Sequence, residues 1–258
     1  MRFSDQVAVI SGATSGIGRA LAERFTAEGA TVVALGRNQE RLAEVGRSVD
    51  LALTCDVTKQ RQVDVAIEAV LARHERIDIL VNNAGIGLFS DVLDTTVEDL
   101  ERVMSVNLFG AARLTRAALP SMVERGAGVV VNVASVAGRR AYARHSAYCA
   151  SKHALIGWSE GLRLDLLDSG VDVVVVCPPA VDTPFFENAG YMTFHEDHEG
   201  LELMTADEVA RLTLDATHKR ARIETLGTRA KALYAASVLA PGGLDRLRRL
   251  TGKLKPRS

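Results

Sequence analysis

The stretch VAVISGATSGIGRALAERF, residues 7–25, indicates the fold of this chain. Its first four residues are apolar and mostly β-branched, as in a strand buried on both faces, and the residues from Ile17 onward repeat with helical periodicity. Gly12, Gly16 and Gly18 lie between the two segments. Glycine permits a tight turn and lets a ligand approach the backbone, and a helix N-terminus presents unpaired N–H groups to a phosphate. The stretch therefore predicts a strand, turn and helix that bind a nucleotide phosphate; the alternative is a purely structural turn.

The composition is that of a globular protein without a large charge imbalance. The chain has 258 residues, 47% of them hydrophobic, and a formal net charge of −1, which predicts no general attraction to nucleic acid. Cys55, Cys149 and Cys177 are widely spaced and match neither a disulfide framework nor a zinc motif. Residues 1–12 lack a signal-peptide pattern, and no stretch approaches the roughly 20 apolar residues that span a bilayer. We expect a cytoplasmic protein.

Short apolar runs alternate with longer helical patterns along most of the chain. The runs are residues 7–11, 31–35, 51–54, 77–82, 128–133 and 171–177. Because they are continuous, they predict parallel strands covered on both faces, and their alternation with helices predicts an α/β, doubly wound parallel sheet. We expect a single domain over residues 1–225. Residues 226–258 have a different composition and are expected to form a basic amphipathic extension.

The end of the second predicted strand bears on the choice of cofactor. Many dinucleotide-binding folds have an acidic residue here that binds the ribose hydroxyls of adenosine. This chain has Gly36 followed by Arg37. Glycine leaves room for a ribose 2′-phosphate, and a guanidinium binds phosphate through two N–H groups. We therefore expect NADP(H) rather than NAD(H); the alternative is that Arg37 is only a solvated loop charge.

A tyrosine and a lysine lie four residues apart in the stretch SAYCASK, residues 146–152. The apolar spacing that follows predicts a helix, on which Tyr148 and Lys152 share one face. Taken alone, such a pair is most simply an exposed polar face. A nearby ammonium also favours the phenolate form of tyrosine, so the same pair suits proton transfer near neutral pH.

Several motifs occur together in a fixed order. They are SGATSGIG at residues 11–18, CDVT at 55–58, NNAG at 82–85, Asn107, Ser135, Tyr148 with Lys152, and PPAVDT at 178–183. Over residues 7–186 the chain thereby resembles the classical short-chain dehydrogenase/reductase family. The resemblance implies a Rossmann-like sheet of about seven parallel strands with helices on both faces, a nicotinamide cofactor, and an active site at the carboxyl ends of the strands.

The resemblance also implies which residues contact the cofactor. Those expected along the pyrophosphate turn are Gly12, Ser15, Gly16, Ile17 and Gly18. Those expected near the adenine and the cofactor ribose are Asp56, Val57, Asn83, Ala84 and Gly85. Val181 and Thr183 are expected at the nicotinamide carboxamide. The family usually has Pro-Gly where this chain has Pro178 and Pro179, so we expect a local backbone adjustment, since proline cannot adopt a positive φ.

Four residues carry the catalytic chemistry that the resemblance implies. Tyr148 is the general acid for reduction and the base for oxidation, and Ser135 hydrogen-bonds the substrate oxygen. Lys152 is expected to lower the pKa of Tyr148 and to bind the ribose hydroxyls, which makes both residues part of the cofactor site. Asn107 is expected to hold a water in the proton relay. Taken singly, Ser135 also fits a turn serine and Asn107 a structural amide.

Residues 185–208 are expected to form a loop over the substrate. Its large apolar residues either line a lipophilic pocket or pack the loop onto the core; they are Phe185, Phe186, Tyr191, Met192 and Phe194. His195 and His198 lie among acidic residues, but hydride transfer needs no metal, and we expect a solvated loop there. His145 and His153 do not share the face of Tyr148 and are expected to be structural or rim residues.

The extension over residues 226–258 is basic and has apolar residues at helical spacing. It suits docking on the enzyme body or a second subunit, which we favour, or peripheral contact with an anionic membrane surface. We expect a homo-oligomer.

The function predicted from the sequence is hydride transfer between NADP(H) and a small or lipophilic carbonyl or secondary alcohol. The alternatives are a non-catalytic nucleotide-binding regulator on the same fold and an NAD(H)-dependent alcohol dehydrogenase.

Overall fold

Strands and helices alternate along the chain in the computed structural model, which describes residues 1–186, 203–240, 242, 243 and 246. The strands are β1 Val7–Ser11, β2 Thr31–Gly36, β3 Leu51–Thr54, β4 Ile79–Asn82, β5 Gly128–Val133, β6 Val171–Cys177, β7 Val181–Asp182, β8 Met204–Thr205 and β9 Ile223–Thr225. The α-helices are α1 Gly16–Ala27, α2 Gln39–Val45, α3 Gln60–His74, α4 Val97–Met104, α5 Ala111–Glu124, α6 Ser146–Asp165, α7 Ala206–His218 and α8 Thr228–Leu239.

Seven of these strands form one parallel sheet in the order β3-β2-β1-β4-β5-β6-β9. Strand β1 pairs with β2 on one side and with β4 on the other, so the direction of winding reverses there. In open α/β sheets, ligands bind beyond the carboxyl ends of the strands at this reversal. The predicted doubly wound sheet of about seven strands is thus confirmed, and the glycine turn lies at the reversal.

Both faces of the sheet are covered, which explains why the strand sequences are continuously apolar. Successive strand residues point to opposite faces, so Ile10 packs in the same cluster as Phe25 of α1, whereas Val9 packs with Ile67 of α3. All four side chains are almost completely buried. Burial of each such side chain stabilises the fold by roughly 1.5–3 kcal/mol. These two layers hold the carboxyl ends of the strands in fixed positions.

The helical pattern over residues 97–126 is interrupted in the structure. Helix α4 ends at Met104, a π-helical turn spans Ser105–Gly110, and α5 follows. Turns of this kind are rare and occur frequently at functional sites. The turn contains Asn107, whose side chain is buried.

The described part of the extension contacts the rest of the protein. Leu226 is buried, and the guanidinium of Arg139 lies 3.8 Å from the centroid of the Tyr234 ring on α8. Lys231 of the same helix forms an ion pair with Glu224 of β9 at 2.6 Å. Helix α8 therefore docks beside the segment that follows β5. Most of the second amphipathic segment of the extension lies outside the described residues.

Candidate active site

The glycine turn after β1 is closed by steric contacts that only glycine allows. Gly12 has a φ of +66°, and a Cβ there would lie 2.9 Å from the Cα of Ala84. A Cβ on Gly18 would lie 2.1 Å from the carbonyl oxygen of Gly12. Ser15 is the N-cap of α1 and leaves its helix without a side-chain cap hydrogen bond. The first-turn N–H groups of α1 are therefore directed at the cleft, where they can bind a phosphate.

The segment after β4 is tied to this turn by hydrogen bonds. The Asn83 side chain donates from Nδ2 to the carbonyl oxygen of Ser11 at 3.0 Å, and the Ala84 N–H donates to the Ser11 hydroxyl at 3.1 Å. The predicted pyrophosphate turn and the predicted ribose segment thus form one rigid wall of the cleft.

The residues after β2 and β3, where the sequence predicts the adenosine, line one end of the cleft, which is referred to as the adenosine end. A Cβ on Gly36, the last residue of β2, would lie 2.4 Å from Cγ2 of Thr14, so glycine avoids a close contact there as well as leaving room for a ligand. Arg37 is exposed. Burial raises the pKa of the Asp56 carboxyl, but hydrogen bonds from Thr58 and the charge of Arg37 outweigh this effect and leave the pKa below its usual value. The guanidinium of Arg37 is therefore close enough to this end to interact with a bound anion.

Sequence reasoning missed two residues at the adenosine end, Asn38 and Arg41, which also line the cleft. Asn38 caps α2 by accepting a hydrogen bond from the Arg41 N–H at 2.9 Å. A signal for Arg41 was present, because it lies in the first turn of the helix that follows Arg37. Two guanidinium groups are thus available at this end of the cleft.

Tyr148 and Lys152 lie one turn apart on α6, as predicted, and both are buried. The ammonium of Lys152 lies 5.8 Å from the centroid of the Tyr148 ring and donates a hydrogen bond to the carbonyl oxygen of Val133 at 2.9 Å. Because Val133 is the last residue of β5, this bond fixes the lysine at the carboxyl end of the sheet. These two residues therefore do not form the exposed polar face that a lone Tyr-Lys pair suggests.

The expectation that Tyr148 has a lowered pKa is wrong for this structure. Burial raises the pKa of the phenol well above its ordinary value, and the hydrogen bond with Ser135 offsets this only in part. Burial also lowers the pKa of Lys152 to about 8. Burial disfavours the charged form of each group because both are removed from water. The arrangement favours a protonated phenol, which is the form that donates a proton.

Ser135 lies two residues after β5 in extended conformation and is the N-cap of a short 3₁₀ turn, Val136–Gly138. Its hydroxyl oxygen accepts a hydrogen bond from the Ala137 N–H at 3.1 Å and also interacts with Tyr148. The turn-serine role and the catalytic role are therefore compatible, because the same cap that orders the turn places the hydroxyl beside the phenol.

Asn107 is buried behind the cleft rather than in its lining. Its Oδ1 accepts a hydrogen bond from the Ile86 N–H at 2.8 Å, and its Nδ2 donates to the Ile86 carbonyl and to the Ser151 hydroxyl, each at 2.9 Å. A Cβ on Gly85 would lie 3.3 Å from Asn107 Oδ1 and 3.6 Å from Lys152 Nζ. Asn107 thus links the segment after β4 to α6, next to the lysine.

The chain after β6 returns to the glycine turn. The carbonyl of Pro178 accepts a hydrogen bond from the first N–H after Ser135 at 2.9 Å, and Pro179 lines the cleft. Val181 is buried in β7, which pairs with β8. A Cβ on Gly16 would lie 3.1 Å from Cγ2 of Thr183. Thr183 therefore lies against the pyrophosphate turn despite the second proline.

One cavity of about 1320 Å³ connects these elements. The predicted site residues that line it are Gly12, Ser15, Gly16, Ile17, Gly18, Arg37, Asp56, Val57, Asn83, Ala84, Gly85, Ser135, Tyr148, Lys152, Val181 and Thr183. Its size and its lining, with a glycine turn at the reversal of the sheet and cations at the adenosine end, fit a nicotinamide dinucleotide together with a small substrate.

An aromatic cluster lines the part of this cavity next to Tyr148. The ring of Phe89, which sequence reasoning missed, lies 5.6 Å from the ring of Tyr148 and 5.6 Å from that of Phe186. Phe185 lies 5.7 Å from Tyr148. His145, expected at the rim, lines the cavity with its ring 4.3 Å from Phe89. The tyrosine hydroxyl therefore lies at the end of a largely apolar chamber.

Other expectations concern residues that the structure leaves undescribed. Tyr191, Met192, Phe194, His195 and His198 lie outside the described residues. Within the described ranges, no group of three or more His, Cys, Asp or Glu residues is arranged to hold a metal ion. Among the described helices, none is both long and apolar enough to cross a membrane.

The sequence and the fold both have known relatives. A sequence model of the short chain dehydrogenase family matches residues 6–192. The chain is 34% identical over 256 residues to the uncharacterized oxidoreductase YxnA of Bacillus subtilis, covering 95% of this chain and 72% of that protein. It is 42% identical over 189 residues to 2-(R)-hydroxypropyl-CoM dehydrogenase of Xanthobacter autotrophicus, covering 69% and 76% of the two chains.

The crystal structure of 3-ketoacyl-(acyl-carrier-protein) reductase from Brucella melitensis, complexed with NADH, is similar to this fold with a TM-score of 0.81 and 31% identity. The match covers 88% of this chain and 99% of that one. The fold and the cleft define a nucleotide-binding oxidoreductase of Rossmann type. The chain belongs to the short-chain dehydrogenase/reductase family.

Proposed function

We propose that this oxidoreductase transfers a hydride between NADP(H) and a carbonyl or secondary alcohol, with Tyr148 as the general acid and base. The observation that carries this proposal is the convergence of Ser135, Tyr148 and Lys152 at one cavity that also contains the glycine turn. The bound nicotinamide supplies the hydride in reduction and accepts it in oxidation. The protein must then orient the carbonyl, exclude water and move one proton.

In reduction, the developing alkoxide needs a proton from a nearby donor. Tyr148 is buried, and its raised pKa keeps the phenol protonated near neutral pH. The Ser135 hydroxyl, which interacts with the phenol, is placed to donate a hydrogen bond to the same substrate oxygen. Transfer of the phenolic proton to the alkoxide completes the alcohol and leaves a phenolate, which the adjacent Lys152 ammonium stabilises. In oxidation the proton moves from the alcohol to the phenolate form of Tyr148, a form that the raised pKa disfavours near neutral pH.

Lys152 and Asn107 support this proton transfer. Lys152 Nζ is held by the Val133 carbonyl, with further donor N–H groups available for the ribose hydroxyls. A pKa of about 8 lets Lys152 give up and regain a proton near neutral pH. Asn107 hydrogen-bonds Ile86 and Ser151 and thereby positions the wall beside the lysine. We infer that the proton lost by Tyr148 is replaced from solvent through Lys152.

The preference for NADP(H) is supported by Gly36, Arg37 and Arg41. The glycine lacks the carboxylate that would repel a 2′-phosphate, and the two arginines line the adenosine end of the cavity. A homologous reductase has been crystallised with NADH, so the preference must be measured for this chain. Dissociation constants for NADPH and NADH, obtained from cofactor fluorescence, provide that measurement.

The competing proposal is a nucleotide-binding regulator without catalysis. A panel of ketones and alcohols, followed through the absorbance of NADPH, separates the two functions. Turnover that Tyr148→Phe abolishes while NADPH still binds supports the enzyme; cofactor binding without turnover on any compound of the panel supports the regulator. A cytoplasmic homo-oligomer, with or without peripheral membrane contact through residues 226–258, stays a prediction from the sequence.

A further inference from the structure

Apart from Arg102 on α4 and the buried Lys152, the charged residues that line the cavity fall into two groups on either side of the sheet reversal. Arg37 and Arg41 follow β2, on the adenosine side, together with Asp56 after β3. Arg140 follows β5 and Arg229 follows β9, on the opposite side. Among the described residues that line the cavity, Asp56 is the only carboxylate. The substrate side thus has two guanidinium groups and, within the described part of the chain, no acid to balance them.

Neighbouring cations on this side have close partners, whereas neither Arg140 nor Arg229 forms an ion pair with a carboxylate of the described residues. Lys231 is paired with Glu224, and the Arg139 guanidinium lies over the ring of Tyr234. Arg140 approaches an aromatic ring, with its guanidinium 5.7 Å from the centroid of the neighbouring tyrosine ring, but no carboxylate of the described residues pairs with it. Arg229 likewise has no such ion pair in the described ranges, and it is exposed at the cavity.

The position of Arg229 is fixed by the docking of α8. Arg229 belongs to the first turn of α8, and Ala230 and Leu233 of the same helix also line the cavity. The Arg139–Tyr234 contact at 3.8 Å and the ion pair of Lys231 hold this helix against the protein. The extension therefore supplies one wall of the substrate chamber.

The cavity wall beside the catalytic tyrosine is apolar. Phe89 and Phe186 stack within it, and Leu233 lines the cavity from α8. An apolar chamber suits hydrocarbon, and guanidinium groups at its wall bind carboxylate, phosphate or sulfonate through charge-assisted hydrogen bonds.

We propose that the substrate is an amphiphilic carbonyl compound or alcohol whose anionic group is bound by Arg140 and Arg229, with an apolar segment between that group and the reacting carbon. This substrate class rests on the proposed hydride transfer at Tyr148. It places the specificity determinants after β5 and in the extension, outside the catalytic residues.

The test compares matched neutral and anionic ligands. A series of straight-chain oxo-acids of increasing length, each with its methyl ester, is titrated into the enzyme saturated with NADP⁺, and binding is measured by calorimetry. Turnover of the same pairs with NADPH is measured in parallel. At least one acid is expected to bind roughly tenfold or more tightly than its ester, since charge-assisted bonds contribute about 1.5–3 kcal/mol. Raising the salt concentration should reduce that preference.

Variants identify the residues responsible. Arg140→Met and Arg229→Met should each reduce the preference for the acid, and the double variant should remove it, with the dissociation constant for NADPH and the melting temperature unchanged. Arg47→Met is the matched control, because Arg47 is exposed, follows α2 and does not line the cavity. It should leave the preference intact.

The results that would overturn the anionic-substrate proposal differ from those that would overturn the proposed hydride transfer. Equal binding of every acid and its ester, failure of every acid to bind, or a preference that survives in the double variant overturns the anionic-substrate proposal. If the acids bind more tightly than their esters and this preference depends on both arginines, the anion site is supported. If, in the same experiment, no acid or ester oxidises NADPH, the result argues against the proposed hydride transfer.

Discussion

Replacing Lys152 with methionine tests the desolvation that dominates the site. The ammonium is buried, and its pKa falls from an ordinary 10.5 to about 8. Between these values the unfolded chain holds a proton that the folded protein has lost, so the stability of the wild type rises with pH across this window. A difference of about 2.5 units corresponds to roughly 3 kcal/mol, because each unit is worth about 1.4 kcal/mol.

The expected result is a free energy of unfolding that depends on pH differently in the two proteins. Relative to Lys152→Met, the wild type should gain roughly 3 kcal/mol of stability between pH 7 and pH 10.5, and nearly all of it above pH 8. Loss of the hydrogen bond to Val133 shifts the variant by a constant amount and does not produce this slope. Most cysteine and tyrosine titrations occur in both proteins and cancel in the difference. That of Cys177 does not cancel fully, because burial raises its pKa and the charge of Lys152 offsets part of that rise.

The assay is urea unfolding of both proteins without cofactor, under reducing conditions, at several pH values from 7 to 10.5. Lys219→Met removes an exposed lysine at the end of α7 and controls for the loss of a charge. Stability curves for wild type and Lys152→Met that run parallel in pH would show that Lys152 is not desolvated as described.

Two further predictions concern cofactor binding. Gly18→Ala would place a Cβ 2.1 Å from the Gly12 carbonyl oxygen, so the affinity for NADPH should fall by at least tenfold and the melting temperature should drop. Fluorescence titration with NADPH measures the first effect and thermal unfolding the second. Unchanged NADPH binding would contradict the proposed phosphate turn. Arg37→Ala should raise the dissociation constant for NADPH by about 10- to 100-fold, since a charge-assisted phosphate bond contributes about 1.5–3 kcal/mol. The dissociation constant for NADH should stay nearly unchanged. Equal effects on both cofactors would remove the basis for the NADP(H) preference.

Local sequence patterns were sufficient to predict the parts of the fold that depend on local chemistry. The continuous apolar runs and the turn at Gly12 predicted the first six strands and the cofactor turn, since burial on both faces and tight turns each impose a direct requirement on composition. Strand β9 was missed because Ile223–Thr225 is only three residues long and is defined by its pairing with β6.

Other features of the site depend on contacts between distant segments. The π-helical turn at Asn107 forms where its side chain meets Ile86 and Ser151, which no local pattern around residue 107 encodes. The direction of the Tyr148 pKa was mispredicted, because spacing to Lys152 reports proximity but not burial. The same limit applies to Phe89, which reaches the chamber from the loop after β4.

The most direct test of the central claim is Tyr148→Phe, measured with a ketone that the wild type reduces. The substitution keeps the ring that packs against Phe89 and removes only the hydroxyl. The proposed mechanism predicts an unchanged dissociation constant for NADPH and a turnover rate reduced by about 10²–10⁴-fold, the usual contribution of a general acid. Turnover within a few-fold of the wild type would show that the proton comes from another group and would contradict the assignment of Tyr148.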